Sequence, residues 1–128
     1  MNEVARSKIL VIDDERELLV MMKAILEEKG YRVFCAADGP EGIRLNELED
    51  PDLIILDLRM PGMNGIETLR GIRAADAEVR VIILTGFGSP DSIRDAADLN
   101  VNEYLSKPFE NEALSQIVKN NLPLNTGM

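Results

Sequence analysis

Asp13, Asp14, Asp57, Thr85 and Lys107 have side chains suited to a common piece of chemistry, and each stands at or just past the end of an apolar run. Asp13-Asp14 follow Ile9-Leu10-Val11-Ile12, Asp57 follows Leu53-Ile54-Ile55-Leu56, Thr85 closes the run that begins at Val79, and Lys107 comes after Glu103-Tyr104-Leu105. Three carboxylates in one crevice repel one another, and burying them unpaired is unfavourable. With one lysine the set keeps a net charge of about −2 by the ordinary ionisation of these groups. A divalent cation neutralises that remainder, and hard oxygen ligands favour Mg²⁺ over softer metals. A carboxylate, a hydroxyl, an ammonium and a metal together suit a phosphoryl group. The carboxylate can attack phosphorus, the cations neutralise the equatorial oxygens, and the hydroxyl can donate to one of them. Any one of these aspartates is more readily explained as a helix cap. Such residues at four run ends are not explained that way. The residues alone reach a metal-assisted, phosphate-handling acidic site; they single out no acceptor and name no donor.

The elements that must position this set follow from periodicity. Ile9–Ile12, Tyr31–Ala36, Leu53–Leu56, Val79–Leu84 and Glu103–Leu105 read as strands, and the continuous runs among them are those of strands covered on both faces. Between them, Leu18, Met22, Ile25, Leu26 and Lys29 step along a helix that Gly30 ends. Gly42, Ile43, Leu45 and Leu48 mark a second helix stopped at Asp50-Pro51, and Gly65 to Ala75 a third with Ile66, Leu69 and Ile72 on one stripe. A fourth begins with Ser89 as N-cap and Pro90 at the first position, and Asn100 closes it in a left-handed conformation. Ala113, Leu114, Ile117 and Val118 mark a fifth. Alternation of this kind predicts an α/β fold, a five-stranded parallel sheet in the order 2-1-3-4-5 with helices on both faces. Ligands in such sheets bind outside the carboxyl ends of the strands, where the acids, Thr85 and Lys107 fall.

Composition narrows the function. The length suits one domain: a tail over 1–7, the domain over 8–121, and a tail or linker start over 122–128. A net charge of −9 disfavours direct binding to nucleic acid or to an anionic membrane. Cys35 is the only cysteine and there is no histidine, so a disulfide framework, a zinc site or a haem site is poorly supported. Met1 to Lys8 carries no apolar signal segment and no apolar run is long enough to span a membrane, so a cytoplasmic location is expected.

Four segments, in order, carry a resemblance: Ile9-Leu10-Val11-Ile12-Asp13-Asp14-Glu15, Leu56-Asp57-Leu58-Arg59-Met60-Pro61-Gly62-Met63-Asn64-Gly65, Ile83-Leu84-Thr85-Gly86, and Tyr104-Leu105-Ser106-Lys107-Pro108-Phe109. Together they resemble the receiver domain of bacterial two-component response regulators over nearly the whole chain. The resemblance implies a signalling switch rather than an enzyme, with Asp57 as phospho-acceptor. It implies Mg²⁺ held directly by Asp14 and Asp57, through a bound water by Asp13, and by the backbone carbonyl of Arg59. Lys107 would pair with the phosphoryl group, its peptide bond to Pro108 would be cis, and Thr85 and Tyr104 would relay the change. The implied donor is a phosphohistidine on a sensor histidine kinase or a histidine phosphotransfer protein. The expected output is a downstream protein target or a missing effector domain, and the expected state is a monomer, or a dimer on activation.

Asn100-Val101 departs from the family's usual Gly-Ala before strand five; asparagine tolerates the left-handed turn, while Val101 is bulkier beneath Tyr104. Arg59 sets a long cation beside the acids, and Gly86 leaves the site open to donors and water. An aspartyl phosphatase is disfavoured because Arg59 stands where a second acid belongs. A dinucleotide-binding module is disfavoured because Gly86-Phe87-Gly88 lacks the third glycine of that fingerprint. A receiver that serves only as a binding module is disfavoured by the presence of every expected site residue.

Overall fold

In the computed structural model, which describes residues 6–60, 64–86 and 90–122, the apolar runs form the strands of one sheet. The elements are β1 (Lys8–Ile12), α1 (Arg16–Glu28), β2 (Arg32–Ala36), α2 (Gly39–Glu49), β3 (Leu53–Asp57), α3 (Gly65–Ala75), β4 (Arg80–Thr85), α4 (Pro90–Ala97), β5 (Glu103–Ser106) and α5 (Asn111–Asn121). All strand pairs are parallel and the order is β2-β1-β3-β4-β5, as the alternation predicts.

Successive residues of each strand face opposite ways, and this sorts the core into two layers. Ile9, Val11, Leu53, Ile55, Ile82 and Leu84 pack with Leu19, Met22 and Leu26 of α1 and with Leu114 and Val118 of α5. Leu10, Ile12, Ile54, Leu56, Val81 and Ile83 pack on the other side with Ile66, Leu69 and Ile72 of α3 and with Ala96 of α4. Cys35 is half-buried beside the first layer, and Val101 packs against the second.

The boundaries differ from the sequence expectation where local hydrogen bonds compete with the ladder. Tyr31 gives its N–H to Leu26 O at the end of α1, so β2 starts one residue later. Val79 gives its N–H to the Asp76 carboxylate, so β4 starts at Arg80. Asp38 accepts from Glu41 N and caps α2, which therefore begins before Gly42. Asn64 and Glu67 form a reciprocal capping box that fixes the start of α3. Gly30 (φ 99°), Asp50 (φ 52°) and Asn100 (φ 64°) take the left-handed conformation after α1, α2 and α4.

The Ser89 cap, Phe87-Gly88, Pro61-Gly62-Met63, Met1 to Ala5 and the tail from Pro123 lie outside the described residues. Among the described residues no helix is long and apolar enough to cross a membrane.

Candidate functional site

Asp57 is the last residue of β3 and is paired in register with Leu84 of β4. Its strand parity is that of Leu53 and Ile55, so its carboxylate emerges on the layer covered by α1 and α5. Thr85, the last residue of β4, has the parity of Val81 and Ile83 and belongs to the opposite layer. Tyr104 is paired with Ile83 and so shares the face of Thr85.

Asp13 and Asp57 are buried, whereas Asp14 and Glu15 are exposed. One carboxylate oxygen from each of Asp13, Asp14 and Asp57 lies within 4.8 Å of the others. The Lys107 ammonium bridges the set: Nζ is 2.9 Å from Asp13 Oδ2, 2.9 Å from Glu15 Oε1 and 3.4 Å from Asp57 Oδ2. Its backbone is fixed by a 2.7 Å hydrogen bond from Lys107 N to Thr85 O, and the Lys107–Pro108 peptide is cis. Two further oxygens are held locally, Asp57 Oδ1 by Arg59 N at 3.1 Å and Asp13 Oδ1 by Glu15 N at 2.9 Å.

Burial pushes the Asp13 and Asp57 carboxyls above the usual carboxylate range, against the opposing pull of Lys107 and of the backbone N–H groups. The Asp13 charge raises Asp57 further. Burial acts downward on Lys107, and contact with Asp13, Glu15 and Asp57 outweighs it, so the ammonium is held above its ordinary value and stays charged. Three acids around one cation leave an excess of negative charge. Moreover, Asp13 Oδ2 is buried and receives no hydrogen bond: Lys107 Nζ reaches it as an ion pair by distance without hydrogen-bond geometry. A buried carboxylate oxygen that shares one lysine with two other acids, and receives no hydrogen bond, fits a hard divalent cation beside two further carboxylates.

The structure thus brings together Asp13, Asp14, Asp57 and Lys107. It places Thr85 at the same sheet edge but on the other face, and leaves Tyr104 38% exposed on that face. Arg59 is exposed next to Asp57. Glu15 is the participant that the sequence does not reveal. It reads there as the start of a helix, and nothing in a one-dimensional pattern ties it to Lys107, 92 positions later. A cavity of about 860 Å³ opens beside the site, lined in part by Glu15, Leu18, Met21, Gly86, Lys107 and Phe109.

A doubly wound parallel sheet in the order β2-β1-β3-β4-β5 places the chain in the flavodoxin-like class of α/β proteins, with its acidic, lysine-bridged crevice outside the carboxyl ends of β1 and β3. Residues 9–119 match the response regulator receiver domain. The chain is 36% identical over 124 residues, 97% of each protein, to sporulation initiation phosphotransferase F of Bacillus subtilis. Among solved structures it is similar to a chemotaxis protein of Vibrio cholerae, with a TM-score of 0.87, 30% identity, and 92% and 100% of the two chains covered. A receiver domain from Clostridium thermocellum superposes with a TM-score of 0.83 at 38% identity, covering 90% of this chain and 93% of that one. The chain belongs to the response regulator receiver domain family and is a phospho-accepting receiver of two-component signalling.

Proposed function

We propose that Asp57 takes the phosphoryl group, from a phosphohistidine on a sensor histidine kinase or a histidine phosphotransfer protein. The observation that carries this reading is the placement of Asp57: a buried carboxylate, 3.4 Å from a lysine and clustered with two further acids. A carboxylate oxygen of Asp57 attacks phosphorus, the phosphorus–nitrogen bond to the donor imidazole breaks, and the bonding pair leaves with the imidazole. Lys107 supports the negative charge on the phosphoryl oxygens. Asp14, Asp57, the Arg59 carbonyl and, through water, Asp13 would hold Mg²⁺, which supplies further neutralisation when bound. Hydrolysis of the acyl phosphate regenerates Asp57. The protein is thus a switch that catalyses only its own phosphorylation and autodephosphorylation. The name of the Bacillus subtilis relative, a phosphotransferase, supports a place in a phosphorelay.

Thr85 and Tyr104 form the relay in this reading. The phosphoryl group adds charge and strong acceptors, and the Thr85 hydroxyl moves toward it. Thr85 and Tyr104 share one face of adjacent strands, Tyr104 being opposite Ile83, two residues before Thr85. Space left by Thr85 is therefore adjacent to the tyrosine ring.

The test is phosphorylation by a small-molecule donor with and without Mg²⁺, read by intact mass. A single phosphoryl adduct that requires Mg²⁺ and is absent from Asp57→Asn is expected. An adduct that survives that substitution refutes Asp57 as acceptor.

A further inference from the structure

Glu15 occupies the N-cap position of α1, where a short side chain usually accepts a backbone N–H. It makes no such bond. Asp13 Oδ1 instead accepts the N–H of Glu15 itself, which turns the chain into the helix without using the Glu15 carboxylate. That carboxylate crosses to Lys107 Nζ at 2.9 Å. The ammonium thus sits closer to Asp13 and Glu15, at 2.9 Å each, than to Asp57, to which it donates a longer hydrogen bond at 3.4 Å.

We propose that Glu15 is a positioning residue that holds Lys107 on the Asp13 side of the site until a phosphoryl group on Asp57 draws the lysine across. The inference rests on the reading of Asp57 as acceptor. The lysine backbone is anchored to Thr85 O, so the motion is one of the side chain alone. Glu15 has 61% of its side chain exposed, and solvent screens its pair with Lys107. A phosphoryl group brings about −1.5 to −2 charges beside Asp57. The weak hold of Glu15 yields to that charge. In the unmodified protein the ammonium is shared, donating to Glu15 at 2.9 Å and to Asp57 at 3.4 Å, so Glu15 competes with Asp57 for it.

The test uses the full chain, with Glu15→Gln against Glu17→Gln. Glu17 lines the same cavity, and the ion pairs of Lys107 among the described residues are with Asp13, Glu15 and Asp57, so the Glu17 substitution removes the same charge from the same mouth without removing a lysine partner. The Lys107 ammonium resonance, recorded by NMR on lysine-labelled protein without donor or metal, moves in Glu15→Gln and stays in place in Glu17→Gln. With saturating Mg²⁺ and acetyl phosphate, Glu15→Gln forms adduct about threefold faster at an unchanged half-saturating donor concentration, a factor within the range of an exposed ion pair. An unmoved Lys107 resonance, or a Glu17→Gln rate that rises equally, overturns the proposal. If the parent accepts no phosphoryl group at all, the reading of Asp57 fails, and the resonance alone decides whether Glu15 holds Lys107.

Discussion

Gly65 lies so close to Asp57 that a methyl group on its α-carbon would come within 2.6 Å of the Asp57 carbonyl oxygen and would also collide with the Leu58 backbone. The start of α3 is thereby pressed against the end of β3, and Gly65 N donates to Leu58 O at 3.1 Å. Gly65→Ala cannot be absorbed by a side-chain rotation, because the obstructing atoms are main chain. It is expected to destabilise the fold by about 1–3 kcal/mol, measured by urea unfolding. It also displaces Asp57, so adduct formation with a small donor should fall more than stability explains under conditions where the variant is fully folded.

Asp13 and Asp57 make the site unfavourable in the absence of metal. Both acids are held above their ordinary range, so the folded protein keeps protons that the unfolded chain has released. Their contribution to stability is fully present below the unfolded value of about 3.9. It is lost as pH rises through the folded values. Lys107 also has its pKa raised, so its contribution is constant below about 10.4 and fades only above that. Asp57→Asn removes one buried charge and leaves Lys107 its two closer partners. Without metal the variant should melt at a higher temperature than the parent at neutral pH, and the gap should narrow as pH falls toward 4 (about the ordinary carboxylate value). Calorimetry across that range checks both statements.

Metal should reverse this ranking. Mg²⁺ at ten times its dissociation constant stabilises the parent by ~1.4 kcal/mol through mass action. Asp57→Asn should lose most of that gain, since one of the three clustered carboxylates is gone. A melting temperature of the parent that does not respond to Mg²⁺ contradicts metal binding at this site.

Arg73 ties three elements together. Its Nε donates to Leu99 O at 2.8 Å, Nη1 to Val79 O at 2.7 Å and Asp76 O at 3.2 Å, and Nη2 to Asn100 O at 2.9 Å. The end of α3, the approach to β4 and the turn after α4 share one guanidinium. Arg73→Ala should cost about 2–4 kcal/mol by loss of charged hydrogen bonds to partly buried carbonyls. Arg73→Lys should recover little of it, because an ammonium lacks the planar fork. Chemical denaturation measures both.

Gly86→Ala should separate stability from chemistry. A methyl group there meets no atom of the described residues within 4 Å, so unfolding should change by less than about 0.5 kcal/mol. Gly86 lines the cavity beside Lys107, so on the proposed reading the added carbon would narrow the approach of water to an acyl phosphate on Asp57. Autodephosphorylation should slow, and a rate equal to the parent's would remove Gly86 as a control on phosphoryl lifetime.

The fold was legible because its signals are periodic. Runs such as Leu53-Ile54-Ile55-Leu56 name buried strands, and Asp50-Pro51 and Asn100 mark stops that the backbone angles explain. The site was legible as a set of strand ends, and the motif resemblance supplied the roles. What escaped was everything fixed by a single long side chain. Arg73 sits on a helix among other charged residues, and its carbonyl acceptors at Leu99 and Asn100 are 26 and 27 positions away. Glu15 to Lys107 is the same kind of link. Helix starts set by Asp38 and strand starts set by Tyr31 and Asp76 were displaced for a related reason, since one local hydrogen bond outweighs a residue of periodicity.

The opposite parity of Asp57 and Thr85 has a consequence for how partners share this small molecule. The sheet is a partition: Asp57 opens toward α1 and α5, and Thr85 and Tyr104 open toward the layer of α3 and α4. The Tyr104 ring, 38% exposed, lies on the face away from the Asp57 carboxylate. In the proposed reading the phosphoryl group on Asp57 therefore signals across the sheet edge, through Thr85, to a surface other than the one on which it is received.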